Sequence, residues 1–340
     1  MATIIENIQT LQSIKTDIKD AIISKGVSVG NDFRTYAQAI TDLPSGGGGG
    51  TEMEDAFVQR TLSGYYSNNR VSKVGAYAFA NCSTLTSVDF PNCTSIGSRA
   101  FTNCSALTSV NIPNCTSIGS HAFSACTALT SVDFPNCTYV DYSAFTNCSA
   151  LTSVDFPNCT YVDAGAFYYC YKLTSINLPI CDYIGYSAFA HCYSLSSIDL
   201  PNCTMVYTGA FYYCSSLTSI NLPRCIYVSD YVFYRCNSLT SINLPNCGDV
   251  NASAFAYCSA LSLIKIPFCM KISRGTFYNC TNLTQVYLNS VTMVPSIYQD
   301  TFYNCPKLTS VYVPSSLVDA FKVASYWSSL SRKIVAYTEG

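Results

Sequence analysis

Twenty cysteines are the residues most capable of chemistry in this sequence, and their spacing decides which chemistry is open to them. Cys93, Cys115, Cys137, Cys159, Cys181, Cys203, Cys225, Cys247 and Cys269 form one register. Cys82, Cys104, Cys126, Cys148, Cys170, Cys192, Cys214, Cys236, Cys258, Cys280 and Cys305 form a second. Zinc sites want short Cys-x2–4-Cys pairs, whereas up to Cys280 successive cysteines stand eleven residues apart. Disulfides need side chains that face each other, and stacked repeats point theirs in parallel. The expectation is two buried ladders of reduced thiols acting as small hydrophobic groups, with no metal and no cofactor.

Other chemistry-bearing residues lead no further. His121 and His191 lie too far apart in the repeat to form one site and are expected in exposed loops. The Gly46–Gly50 run precedes no Lys-Ser/Thr and follows no strand pattern, so it cradles no phosphate. Asp89, Asp133, Asp155 and Asp199 share a register with Asn111, Asn177, Asn221 and Asn243, an oxygen-rich column of the kind calcium takes. The asparagines dilute its charge, which favours a solvated polar ladder. No constellation argues for an enzyme. With a net charge of -2 and 11% charged residues there is no basic footprint for nucleic acid. No apolar run reaches the roughly 18–20 residues of a membrane span, so no membrane insertion is expected.

The elements that carry these residues repeat. Phenylalanine recurs at 79, 101, 123, 145, 167, 189, 211, 233, 255 and 277, a step of 22, and Phe302 follows after 25. One unit reads Leu85-x-x-Val88-x-Phe90-Pro-x-Cys93-x-x-Ile96-x-x-x-Ala100-Phe101-x-x-Cys104. Val88 and Phe90 alternate with Ser87 and Asp89, the period of a half-buried strand. Pro-Asn ends the strand, and Ala100-Phe101-x-x-Cys104 has the i, i+3 spacing of a short helical turn. About nine inward side chains per unit cannot close a core alone, so stacked units share one. Eleven strands, from Leu85 to Leu308, are predicted.

This pattern resembles the BspA-like branch of the leucine-rich-repeat family over about residues 57–340. The resemblance implies an α/β repeat fold: a right-handed solenoid of about eleven coils, a parallel β-sheet on one face and short helical turns on the other. It also implies a bacterial surface or adhesion role. Cap segments are expected at about 57–78 and 314–340, the latter with Leu317, Val318, Phe321 and Ala324 turned inward on a helix and Trp327 and Ile334–Tyr337 completing the cover.

Residues 1–43 read as a small helical hairpin and 44–56 as a glycine-rich linker. The hairpin's apolar stripe, Ile4, Ile8, Leu11, Ile18 and Ile22, predicts docking or self-association into a homo-oligomer. The first fifty residues are similar to mounting modules of phage tail-associated proteins. No signal peptide is visible at Met1, which favours a cytoplasmic or virion-associated protein over classical secretion.

The surface differs along the chain. No tyrosine occurs between Ala78 and Thr138, yet fifteen lie from Tyr139 to Tyr234. Tyrosine with serine, asparagine and scattered histidine and arginine is the composition of recognition surfaces. The expected function is non-enzymatic recognition of a protein or glycan on a cell surface. The candidate contact residues are Tyr139, Tyr161, Tyr168, Tyr169, Tyr183, Tyr212, Tyr213, Tyr227 and Tyr234. A phage-tail receptor-binding role and a purely structural spacer are the alternatives.

Overall fold

Residues 63–338 are described in a computed structural model; the hairpin and linker expected over 1–56 lie outside the described residues. Most coils contain two short strands, and the paired strands run parallel to their counterparts, for the most part 22 residues on, as in Ser87↔Ser109 and Ile96↔Ile118. In the first row the middle residue points inward and its neighbours outward, as in exposed Ser175, buried Ile176 and exposed Asn177. The second row runs without a break through ten strands, from Lys73–Val74 to Lys271–Ile272. The first row is divided into ladders of three, three, two and five strands. At two of the breaks the connecting backbone bonds are long, 3.3 Å for Thr130 N to Thr108 O and 3.4 Å for Thr240 N to Thr218 O.

Among the described residues twelve coils are present, where the sequence predicts eleven strands. The additional strand, Gly64–Ser67, lies within the segment read as an N-terminal cap and pairs with Leu85–Asp89 like any other rung. The three extra residues before Phe302 replace a second-row strand with a single bridge, Lys271↔Ser296.

Most coils bury eight apolar side chains, as do Leu85, Val88, Phe90, Cys93, Ile96, Ala100, Phe101 and Cys104 in the first full unit. Phe79, Phe101, Phe123, Phe145, Phe167, Phe189, Phe211, Phe233, Phe255, Phe277 and Phe302 stack as one column, neighbouring centroids 4.9–5.7 Å apart. All twenty cysteines are free and buried. Their thiols do more than fill space. Cys104 Sγ donates to Phe79 O at 2.9 Å, one coil back, and Cys93 Sγ donates to Ser95 O at 3.2 Å. Both contacts recur through the stack, so cysteine supplies a small apolar volume and a weak donor to a buried carbonyl. Burial pushes these thiols up, to about 11 for Cys159 and Cys225 and about 12 for Cys115 and Cys203, which keeps them protonated and unreactive at neutral pH.

The C-terminal cap closes the open end. A 3-10 turn (Ser315–Leu317) leads into a short α-helix (Val318–Val323), and a second 3-10 segment (Trp327–Lys333) precedes the strand Ile334–Ala336. Phe321 and Trp327 are buried, while Leu317, Val318 and Ala324 pack partly against the core. Trp327 Nε1 donates to Pro295 O at 2.7 Å, so the indole is satisfied as it caps the phenylalanine column at Phe302.

The segment expected to be a short helical turn is not helical. In Ala100–Cys104 the backbone N–H groups alternate. Ala100, Thr102 and Cys104 bond three residues back, while Phe101 and Asn103 bond to Ala122 O and Ser124 O of the next coil. Sending every second N–H along the stack requires left-handed backbone, and Arg99 (φ 56°) and Asn103 (φ 60°) adopt it. The i, i+3 spacing is that of successive tight turns held between coils.

Candidate recognition face

Two positions per coil carry positive φ. At the first, Gly165, Gly209 and Gly275 meet the requirement at no steric cost. The second position lies two residues after the column phenylalanine. Asparagine fills it at 81, 103, 147, 279 and 304, and Ala125 fills it once. Asparagine tolerates left-handed backbone better than other side chains. It also bonds along the stack, as Asn103 Nδ2 does to Asn81 Oδ1 at 2.9 Å.

Five consecutive coils depart from that choice. Tyr169 (φ 63°), His191 (63°), Tyr213 (60°), Arg235 (59°) and Tyr257 (63°) occupy the position. A bulky side chain there costs about 1 kcal/mol or more of backbone strain. The five are in mutual contact. Tyr169 and His191 have centroids 4.6 Å apart, and His191 and Tyr213 stack at 5.2 Å. The Arg235 guanidinium lies 5.3 Å from the Tyr213 centroid and 4.8 Å from that of Tyr257. Beside this column stand the residues that directly follow phenylalanine. Tyr168 packs on Tyr169 at 4.1 Å, Tyr212 on Tyr213 at 4.7 Å, and Tyr212 stacks on Tyr234 at 5.0 Å. Exposed Tyr171 and Tyr193 stack at 5.4 Å along its edge.

The nine tyrosines singled out in the sequence therefore form two groups. Tyr168, Tyr169, Tyr212, Tyr213 and Tyr234 belong to the turn column. Tyr139, Tyr161 and Tyr183 lie on the second-row strands, where their rings stack at 4.9 and 4.0 Å and continue to Tyr207 and Tyr186. Tyr139 Oη donates to Asp163 Oδ2 at 3.0 Å, and burial followed by that carboxylate raises its phenol above the ordinary tyrosine range. Tyr227 is in the same strand row but is separated from Tyr183 by Met205, the residue in register with both.

Sequence reasoning missed His191, Arg235 and Tyr257. His191 is half-buried at the centre of the column, its Nδ1 2.9 Å from Tyr193 Oη, and burial lowers its pKa so that it is neutral at pH 7. The usable signal was its position 22 residues from Tyr169 and Tyr213, rather than its distance from His121.

The first-row strand face is uniform by comparison. Asn111, Asn177 and Asn221 donate to Asp89, Asp155 and Asp199 at 2.7–2.8 Å, making the polar ladder expected of that column. Among the described residues no group of His, Cys, Asp or Glu is placed to hold a metal ion. Two shallow depressions on this face, about 310 and 430 Å³, are lined by the repeating serines and their neighbours. Among the described residues no helix is long and apolar enough to cross a membrane.

A family model described as a BspA type leucine rich repeat region matches six copies, over residues 53–173, 160–284 and 204–331. Among curated proteins none matches the chain. Of solved structures, the chain is similar to a leucine-rich repeat protein from Bacteroides ovatus, with 23% identity, a TM-score of 0.53, and coverage of 82% of this chain and 85% of that one. A leucine rich cell surface protein from Faecalibacterium prausnitzii matches at 26% identity and a TM-score of 0.47, covering 82% and 89%. The pneumococcal vaccine antigen PcpA matches at 13% and 0.45, covering 82% and 80%.

Proposed function

Because the chain belongs to the BspA-type leucine-rich-repeat family, we propose that it is a non-enzymatic recognition protein whose turn column contacts a macromolecular partner. The observation that carries this reading is the run Tyr169, His191, Tyr213, Arg235 and Tyr257 at positions where the backbone favours asparagine. Residues that cost stability and line one contiguous surface are those a structural spacer has no reason to keep. Tyrosine and arginine are the side chains that dominate binding energy in recognition surfaces. The partner class is a protein or glycan presented on a cell surface, and the biological role is adhesion.

The test compares the two tyrosine groups. The triple variant Tyr169→Asn, Tyr213→Asn and Tyr257→Asn removes rings from the turn column. Tyr139→Ser, Tyr161→Ser and Tyr183→Ser does the same on the second-row strands. Both are assayed by melting temperature and by binding to glycan arrays and to bacterial and animal cells. The expected result is a melting temperature close to the parent for the turn variant, with binding lost, and binding retained by the strand variant. Retained binding in the turn variant moves the site elsewhere, and loss of folding makes the column structural.

A further inference from the structure

Arg235 is the one full positive charge in the column. Its guanidinium is bounded by three rings, Tyr257 at 4.8 Å, Tyr213 at 5.3 Å and Tyr234 at 5.9 Å. Its Nε is buried without a hydrogen-bond partner. Among the described residues no carboxylate forms an ion pair with it; the ion pair there is Arg274–Asp300. Asp230 is engaged through Oδ1 by the backbone N–H of Ala252 at 2.8 Å. Arg99 shows the contrast. It lies over a single ring, Tyr77 at 5.6 Å, and its Nη1 donates to that tyrosine's hydroxyl at 2.6 Å.

From this geometry we infer that Arg235 is the anchor for a carboxylate, an Asp or Glu side chain of a protein partner, on the surface proposed above. Ring faces hold a cation by electrostatic attraction, and the one hydroxyl that bonds Arg235, that of Tyr234, leaves other donors of the planar guanidinium fork open. A carboxylate fits the two terminal nitrogens of that fork with parallel hydrogen bonds, the buried Nε being out of a partner's reach, and neighbouring rings lower the local polarity in which such bonds form. His191 adds no competing charge because burial keeps it neutral.

Two observations favour a protein over other anions. The chain carries 18 basic against 20 acidic residues, so it offers no field for a polyanion. The stacked pairs of the column, His191 with Tyr213 at 24° and Tyr212 with Tyr234 at 10°, cover each other's faces. Faces covered in this way suit side-chain packing better than a sugar lying flat on a ring.

The inference rests on the recognition reading, and the experiment separates the two. A library of displayed peptides of random sequence is selected on the full chain, and the recovered peptides are measured against Arg235→Asn, Arg235→Lys and the triple tyrosine variant. Arg235→Asn places at that position the residue five other coils hold, so its folding is checked simply by melting temperature. Expected are peptides enriched in Asp or Glu that lose about 30-fold or more in affinity on Arg235→Asn, regain part of it with Arg235→Lys, and fail on the tyrosine variant. Peptides without acidic enrichment that bind Arg235→Asn normally but fail on the tyrosine variant overturn the carboxylate anchor and leave the recognition face standing. Peptides indifferent to all three variants overturn both.

Discussion

Asn103 and Tyr213 hold the same place in two coils, with φ of 60° in each and a backbone N–H donated at 2.8 Å to the next rung, yet they make opposite surfaces. Around Asn103 the turn is lined by threonine, serine and an asparagine pair that bonds along the stack. Around Tyr213 it is a packed aromatic band with a caged arginine. Beneath both run the same phenylalanine column and the same cysteine ladders, buried at Phe101 and Cys104 as at Phe211 and Cys214. The interior is thus common property of the stack, while the face is individual to a block of coils. A repeat architecture permits this because each rung contacts only its neighbours, so an outer position can change without disturbing the period.

The widest test of the shared interior is alkaline pH. Unfolded thiols ionise near 9.0, whereas burial raises Cys159 and Cys225 to about 11 and Cys115, Cys148, Cys203, Cys269 and Cys305 to about 12. A raised folded value means the native state holds the proton more tightly. Its contribution to stability is whole below pH 9 and is lost as pH climbs from there through 11 to 12. Each such thiol withdraws about 1.4 kcal/mol per pH unit once its unfolded form is ionised. Several acting together exhaust a typical margin of about 5–15 kcal/mol within one or two units. Urea unfolding midpoints at pH 8, 9 and 10 should fall steeply above 9, with hydrogen exchange rising alike in both blocks. A flat profile, or loss confined to one block, breaks the claim of a common core.

Next in size is deletion of a column ring on each side of the comparison. Phe101→Ala and Phe211→Ala each empty a fully buried site and should cost about 3–5 kcal/mol. If the interior is shared, the two losses agree within about 1 kcal/mol by denaturant titration. A much smaller loss at Phe211 would mean that the tyrosine band carries part of the core's burden.

Particular residues explain how much of this was legible in sequence. The 22-residue step and the alternation around Val88 disclosed the strands, because a parallel stack repeats its inward positions without slippage. The cysteine ladders were readable for the same reason. The turns were misread because Ala100-Phe101-x-x-Cys104 has helical spacing, and spacing does not report which way an N–H points. Asparagine at 81, 103, 147, 279 and 304, with glycine at 165, 209 and 275, was the signal for left-handed backbone. The slot after each phenylalanine groups Tyr168, Tyr169, Tyr212 and Tyr213, but composition does not separate Tyr161 on a strand from Tyr168 in a turn seven residues later. His191 finds its stacking partners one period away, at Tyr169 and Tyr213, and not at the other histidine.

The smallest effect bears most directly on the difference between the blocks. Exchanging the two residues, Asn103→Tyr in one protein and Tyr213→Asn in another, asks whether the backbone itself prefers asparagine at this position. Asn103→Tyr gives up a side-chain bond to Asn81 and places a ring on left-handed backbone, so a loss of about 1 kcal/mol is expected. Tyr213→Asn relieves the same backbone cost but forfeits stacking on His191 and the contact with Arg235, interactions worth about 0.5–1.5 kcal/mol each. Its net change should therefore lie within about 1 kcal/mol of zero. Calorimetric melting of both variants resolves differences of this size when they are measured beside the parent. Loss in the first variant with near-neutrality in the second means that the band is maintained against a local preference of the fold, which is the mark of a surface kept for contact. Equal losses in both would make the tyrosine a packing requirement of its own coil, and a neutral Asn103→Tyr would remove the backbone preference on which the comparison turns.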